Sequence, residues 1–113
     1  MSTALPTREL VLEKLRRCFI DKDEAAHAIE MLDRYGTKSW HRERDRVHLA
    51  ILKECNGELE RVGWLVEIAC CDYRDVLAAA EYPEESRLPA GHVDLAAARQ
   101  RDRQQYEKWL NGD

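Results

Sequence analysis

The chain has 113 residues, of which 44% are apolar and 35% charged, with a net charge of −4. That length can bury a core without disulfide or metal staples, and the balance is that of a globular chain, not a disordered one. The acidic charge gives no general attraction to nucleic acid or an anionic membrane, no window is apolar enough for a membrane span, and MSTALPTRELV lacks the apolar core of a signal peptide, so a cytoplasmic protein is expected.

Glycine and proline are few, while Ala, Leu, Glu and Arg, all good helix formers, are plentiful. The expected fold is all-α: a compact bundle of about five helices with a C-terminal helical arm. The first helix follows Thr7 as N-cap and runs to Phe19, with Val11, Leu12, Leu15, Cys18 and Phe19 on one face. Asp21 and Glu24 have capping-box spacing and open a second helix that ends at Tyr35-Gly36. A third helix is expected from a cap at Thr37 or Ser39 to Cys55, with an apolar stripe of Trp40, Val47, Ile51 and Cys55 widened by Leu52.

Asn56-Gly57 supplies a tight turn, and a fourth helix begins at Glu58 with Leu59, Val62, Leu65, Val66 and Ala69 inward. Asp72 reads as a fresh N-cap. It breaks that helix near Cys71 and starts a fifth, which Pro83 stops. Two prolines and a glycine between 83 and 91 mark a linker. A last helix runs from His92 or Asp94 to Leu110, with Leu95, Ala98, Tyr106 and Trp109 on one side and Asp102 amid them. The expected division is a bundle over residues 1–83, a linker over 84–92 and an arm over 93–113.

The segment ILKECNGELERVGWLV, residues 51–66, resembles the second helix, turn and third helix of ubiquitin-associated three-helix domains. The resemblance covers that segment alone. The family's Met-Gly-Phe is absent, and no binding residue is carried over from it.

Three constellations are candidates for function. On the fourth helix, Trp64, Ile68 and Cys71 fall at i, i+4 and i+7 opposite the main apolar stripe, and Trp64 with Arg61 alongside has the composition of an interface hot spot. With Tyr106, Trp109 and Leu110 of the last helix, Arg61, Trp64 and Ile68 form the candidate protein interface. On the outward face of the third helix, Arg42, Arg46 and Lys53 make a basic stripe like that of a DNA recognition helix. Residues 37–56 hold five Lys/Arg against three Asp/Glu, which dilutes it. On the inward face, Arg44 between His41 and His48 is a candidate anion or carboxylate pocket, or else an internal ion pair with boundary histidines.

No nucleophile stands at a spacing that would make those histidines catalytic. The four cysteines contain no CxxC, and the histidines are not at zinc-finger spacing from them, so neither a metal nor a cofactor is expected. The reading is a cytoplasmic protein-interaction module that self-associates through the mobile last helix and has no identifiable catalytic chemistry. Its alternative is a nucleic-acid-binding protein using the basic stripe.

Overall fold

The structure is a computed structural model and describes residues 6–112. Five α-helices follow one another: α1 (Arg8–Cys18), α2 (Lys22–Leu32), α3 (Arg44–Glu54), α4 (Leu59–Glu81) and α5 (Leu95–Leu110), with a short 3-10 turn at Glu85–Arg87. The fold is all-α, and no strand occurs among the described residues. No helix there is long and apolar enough to cross a membrane.

The first two helices start as their caps dictate. The Thr7 hydroxyl accepts the Leu10 N–H, and the Asp21 carboxylate accepts those of Asp23 and Glu24, satisfying donors that have no partner inside the helix. Asn56 and Gly57 both adopt positive φ between α3 and α4, as the turn between antiparallel neighbours requires.

The third helix differs from expectation. It begins at Arg44, after Glu43 in a left-handed conformation, and neither Thr37 nor Ser39 caps it. Thr37 turns back to donate to the Arg34 carbonyl. Tyr35 causes the delay. Its buried hydroxyl donates to the Arg42 carbonyl at 2.6 Å and accepts the Arg42 N–H at 3.0 Å, so residues 36–43 must loop around the ring. Gly36 opens the loop with φ +114, and a Cβ there would collide with the aliphatic stem of Arg44.

α3 also lacks an outward face over its middle. Residues 47–52 are six in succession with no more than 1% exposure. Leu49 and Ala50 are as buried as Val47 and Ile51. A helix apolar all round is a central helix, and α3 is that helix, with α1 and α4 packed on it.

The fourth and fifth expected helices are one element with a kink. Asp72 alone leaves helical geometry (φ −156, ψ 100). Its carboxylate accepts the Arg74 N–H at 3.0 Å, the cap expected of it.

α5 lies against its own chain. Asp102, 2% exposed, accepts the backbone N–H groups of Glu84 and Glu85. Arg99 and Arg101 pair with the Glu85 and Glu84 side chains, and Gln105 donates to the Ala80 carbonyl. At its far end the buried Lys14 ammonium donates to the Trp109 carbonyl at 2.5 Å and sits 4.9 Å from the Trp109 ring centroid. A cation there suits the negative end of the helix dipole.

If α3 is the centre of the core, Ile51→Ala should cost about 2–5 kcal/mol of unfolding free energy, measured by urea denaturation. A cost below about 1 kcal/mol would mean that the α3 environment is not packed as described.

Candidate functional site

α3 and α4 meet at the Asn56-Gly57 turn, and the side chains around that corner build the candidate surface. The Glu54 carbonyl, at the end of α3, receives two hydrogen bonds from Arg61, Nε at 3.2 Å and Nη2 at 3.0 Å. A guanidinium at a helix C-terminus satisfies a carbonyl left without an intrahelical donor. The same guanidinium lies 5.8 Å from the Trp64 ring centroid, three residues further along α4. Arg61 is thereby fixed, and the indole beside it stands in solvent with 56% of its surface exposed.

Beyond Trp64 a groove of about 350 Å³ runs along α4, floored by Trp64, Leu65, Ile68, Val76 and Ala79. Glu54 and Asp75 flank it, and Glu58 and Glu60 border the adjoining hollow on the other side of Trp64 and Arg61. Two carboxylates, Glu54 and Asp75, therefore flank the apolar floor, with Lys53 3.5 Å from the first, and the Arg61 of the same lining is already engaged. Tyr106, Trp109 and Leu110 do not reach this groove. Leu110 is buried, Trp109 is held by Lys14, and burial of the Tyr106 ring raises its hydroxyl pKa above the ordinary value. The two halves of the expected interface lie on different parts of the molecule.

The basic stripe is not assembled. Arg42 precedes α3 and lies in the loop around Tyr35. Arg46 forms a two-pronged pair with Glu81, at 2.8 and 2.5 Å, and a further one with Glu43 at 2.9 Å. Lys53, largely buried, lies 3.5 Å from Glu54. Two of the three cations thus already have anionic partners within the chain, and one is off the helix.

His41, Arg44 and His48 gather around Tyr35, without sharing a helix face. The His41 ring stacks on Tyr35 at 4.5 Å, and its Nδ1 accepts the N–H of Gly36 at 2.8 Å and of Lys38 at 3.3 Å. Arg44 lays its stem over Gly36 and reaches Asp45 at 3.4 Å. His48 is fully buried, with Nε2 3.0 Å from the Tyr35 carbonyl and Nδ1 3.5 Å from Arg8, which in turn pairs with Asp33. In the neutral tautomer that this geometry selects, Nε2–H donates to the carbonyl and Nδ1 accepts from Arg8. These groups lock the loop between α2 and α3.

A second hollow, of about 260 Å³, opens where that loop faces the α4 kink, lined by Trp40, His41, Cys70, Cys71, Asp72 and Arg74 among others. Trp40, expected in the core stripe of the third helix, is 64% exposed because the helix starts after it. No group of three or more potential metal ligands forms among the described residues.

Sequence reasoning found Arg61, Trp64 and Ile68 but missed Asp75, Val76 and Ala79 as their continuation. The chain does leave helical geometry at Asp72, where the break was expected, so projection from Trp64 does not carry across it and no periodic signal joins the two halves of the groove. Comparison with protein-family models, curated proteins and solved structures returns no match for this chain.

The His48 environment makes a pH dependence. Burial lowers the imidazole pKa below its ordinary value of 6.5, as do Arg8 and Arg44, while the Tyr35 carbonyl and Asp33 oppose this. The unfolded chain takes up the proton first as pH falls, so the stability from neutral His48 is complete above about pH 6.5 and is lost between the unfolded and the lower folded pKa. Urea unfolding at about pH 7.5 and about pH 5.5 should show wild type losing more stability than His48→Gln. Equal losses would contradict this account of His48.

Proposed function

We propose that this chain is a cytoplasmic protein-interaction module that seats an amphipathic, basic segment of a partner protein in the Trp64 groove. The observation that carries the reading is a large indole held half in solvent by an engaged arginine, over an apolar floor flanked by Glu54 and Asp75, with Glu58 and Glu60 on the adjoining hollow. An exposed aromatic next to an apolar groove supplies affinity when a partner covers it. The acidic rim selects the partner, because a basic flank meets it favourably and an acidic one is repelled.

The same charge argues against a second copy as the occupant. A two-fold symmetric contact places a surface against itself, and Glu54, Glu58, Glu60 and Asp75 would then face like charges. α5 is engaged on its own chain by Lys14, Arg99, Arg101 and Gln105, so handing it to a neighbour would forfeit those bonds. Four cysteines without a disulfide suit a reducing compartment.

Two designed helical peptides with identical apolar residues at i, i+4 and i+7 test the reading, one with Lys/Arg flanks and one with Glu flanks. The basic peptide should bind with an affinity that falls as salt rises. Trp64→Ala should weaken it at least about tenfold, while changing stability by no more than about 1 kcal/mol. Binding of both peptides alike, or equal binding by Trp64→Ala, would reject the proposal. Light scattering of the free chain checks the alternative occupant, since a concentration-dependent dimer lost in Trp64→Ala would assign the groove to self-association.

A further inference from the structure

Two cysteines that play no part in the Trp64 groove come together where the C-terminal ends of α1 and α3 meet. Cys18 is the last residue of α1, and Cys55 caps α3. Both thiols reach the same acceptor, the Leu52 carbonyl, Cys18 Sγ at 3.8 Å and Cys55 Sγ at 3.2 Å. Sharing that one oxygen makes the two sulfurs neighbours. Cys55 has no exposed surface and Cys18 is half-buried, so the pair meets solvent through Cys18.

The two sites differ chemically. The Cys18 thiol beside it and the N–H groups of Gly57 and Glu58 favour negative charge on Cys55 and lower its pKa. The neighbouring Cys55 and burial raise that of Cys18. The arrangement is a half-buried thiol beside a fully buried one, the buried one the more acidic of the two.

We propose that Cys18 and Cys55 are an oxidisable dithiol that a peroxide closes to an intramolecular disulfide. The Cys18 thiol gives up its proton to water as its sulfur attacks one oxygen of hydrogen peroxide. The S–O bond forms, the O–O bond breaks, and the departing hydroxide takes up that proton to become water. Cys55 then loses its own proton and attacks the Cys18 sulfenic acid, forming the S–S bond and releasing the second oxygen as hydroxide, which that proton converts to water. Two sulfurs are oxidised by one electron each and one peroxide is reduced to two waters. Cys70 and Cys71 do not form such a pair, because adjacent residues of one helix project in different directions.

Trypsin separates the outcomes. Cleavage after Arg17, Lys22, Lys53, Arg61 and Arg74 places Cys18 in peptide 18–22, Cys55 in 54–61 and both remaining cysteines in 62–74. The folded, fully reduced chain is treated with equimolar hydrogen peroxide, capped with an alkylating reagent, digested without reductant and weighed by mass spectrometry. The expected product is peptide 18–22 joined to 54–61 within one chain, formed equally in Cys70→Ser/Cys71→Ser. A disulfide confined to 62–74, a link between two chains, both peptides recovered fully alkylated, or loss of the link in the double variant would overturn the proposal.

Discussion

The burial of α3 on every side is the constraint on which the rest of this molecule depends. Six consecutive residues out of contact with water leave the helix no solvent face between its ends. Every polar or charged group it carries must therefore sit near a terminus or find an internal partner. Both outcomes are visible. Arg46 meets Glu81 and Glu43, His48 meets Tyr35 and Arg8, and the Glu54 carbonyl at the far end meets Arg61. Of the cations that gave this helix the look of a nucleic-acid reader, Arg46 and Lys53 lie beside carboxylates and Arg42 precedes the helix.

The proposed interaction surface follows from that arrangement. α4 packs one side on α3 and is long enough to carry a second apolar stripe on the other. Arg61 is drawn to the end of α3, and in settling there it braces Trp64. α5 might have covered the stripe but is drawn elsewhere, by a buried carboxylate that binds the turn before it and a buried lysine that binds its last turn. What remains exposed on α4 is an apolar floor within an acidic border. Ile20 and Val93 are also exposed, but each stands alone in a connecting turn, as single surface apolar residues commonly do.

Much of this was legible in the sequence. Local chemistry specifies the caps at Thr7, Asp21 and Asp72 and the Asn56-Gly57 turn, and each stands where its side chain or backbone dictates. The start of α3 was not legible, because it depends on the Tyr35 hydroxyl gripping the backbone of Arg42, a tertiary contact with no periodic signature. Once that start is displaced, every inference from helical projection of residues 40–42 changes, which is why Trp40 lies outside the core and the His41, Arg44 and His48 trio shares no face. The partners of Arg46 and Lys14 are equally long-range. Of the candidate surface, Arg61, Trp64 and Ile68 were readable by spacing, whereas the acidic rim required knowing that Glu54 and Asp75 flank one groove.

The central claim is that the outer face of α4 is the surface left free for a partner. Titration of isotopically labelled protein with the basic amphipathic peptide, followed by amide chemical shifts, tests it most directly. The account predicts shifts confined to residues 54–68 and 75–79, with the Trp64 indole N–H among the largest. Shifts centred on α5 or on the loop around Tyr35, with the Trp64 signal unmoved, would contradict it.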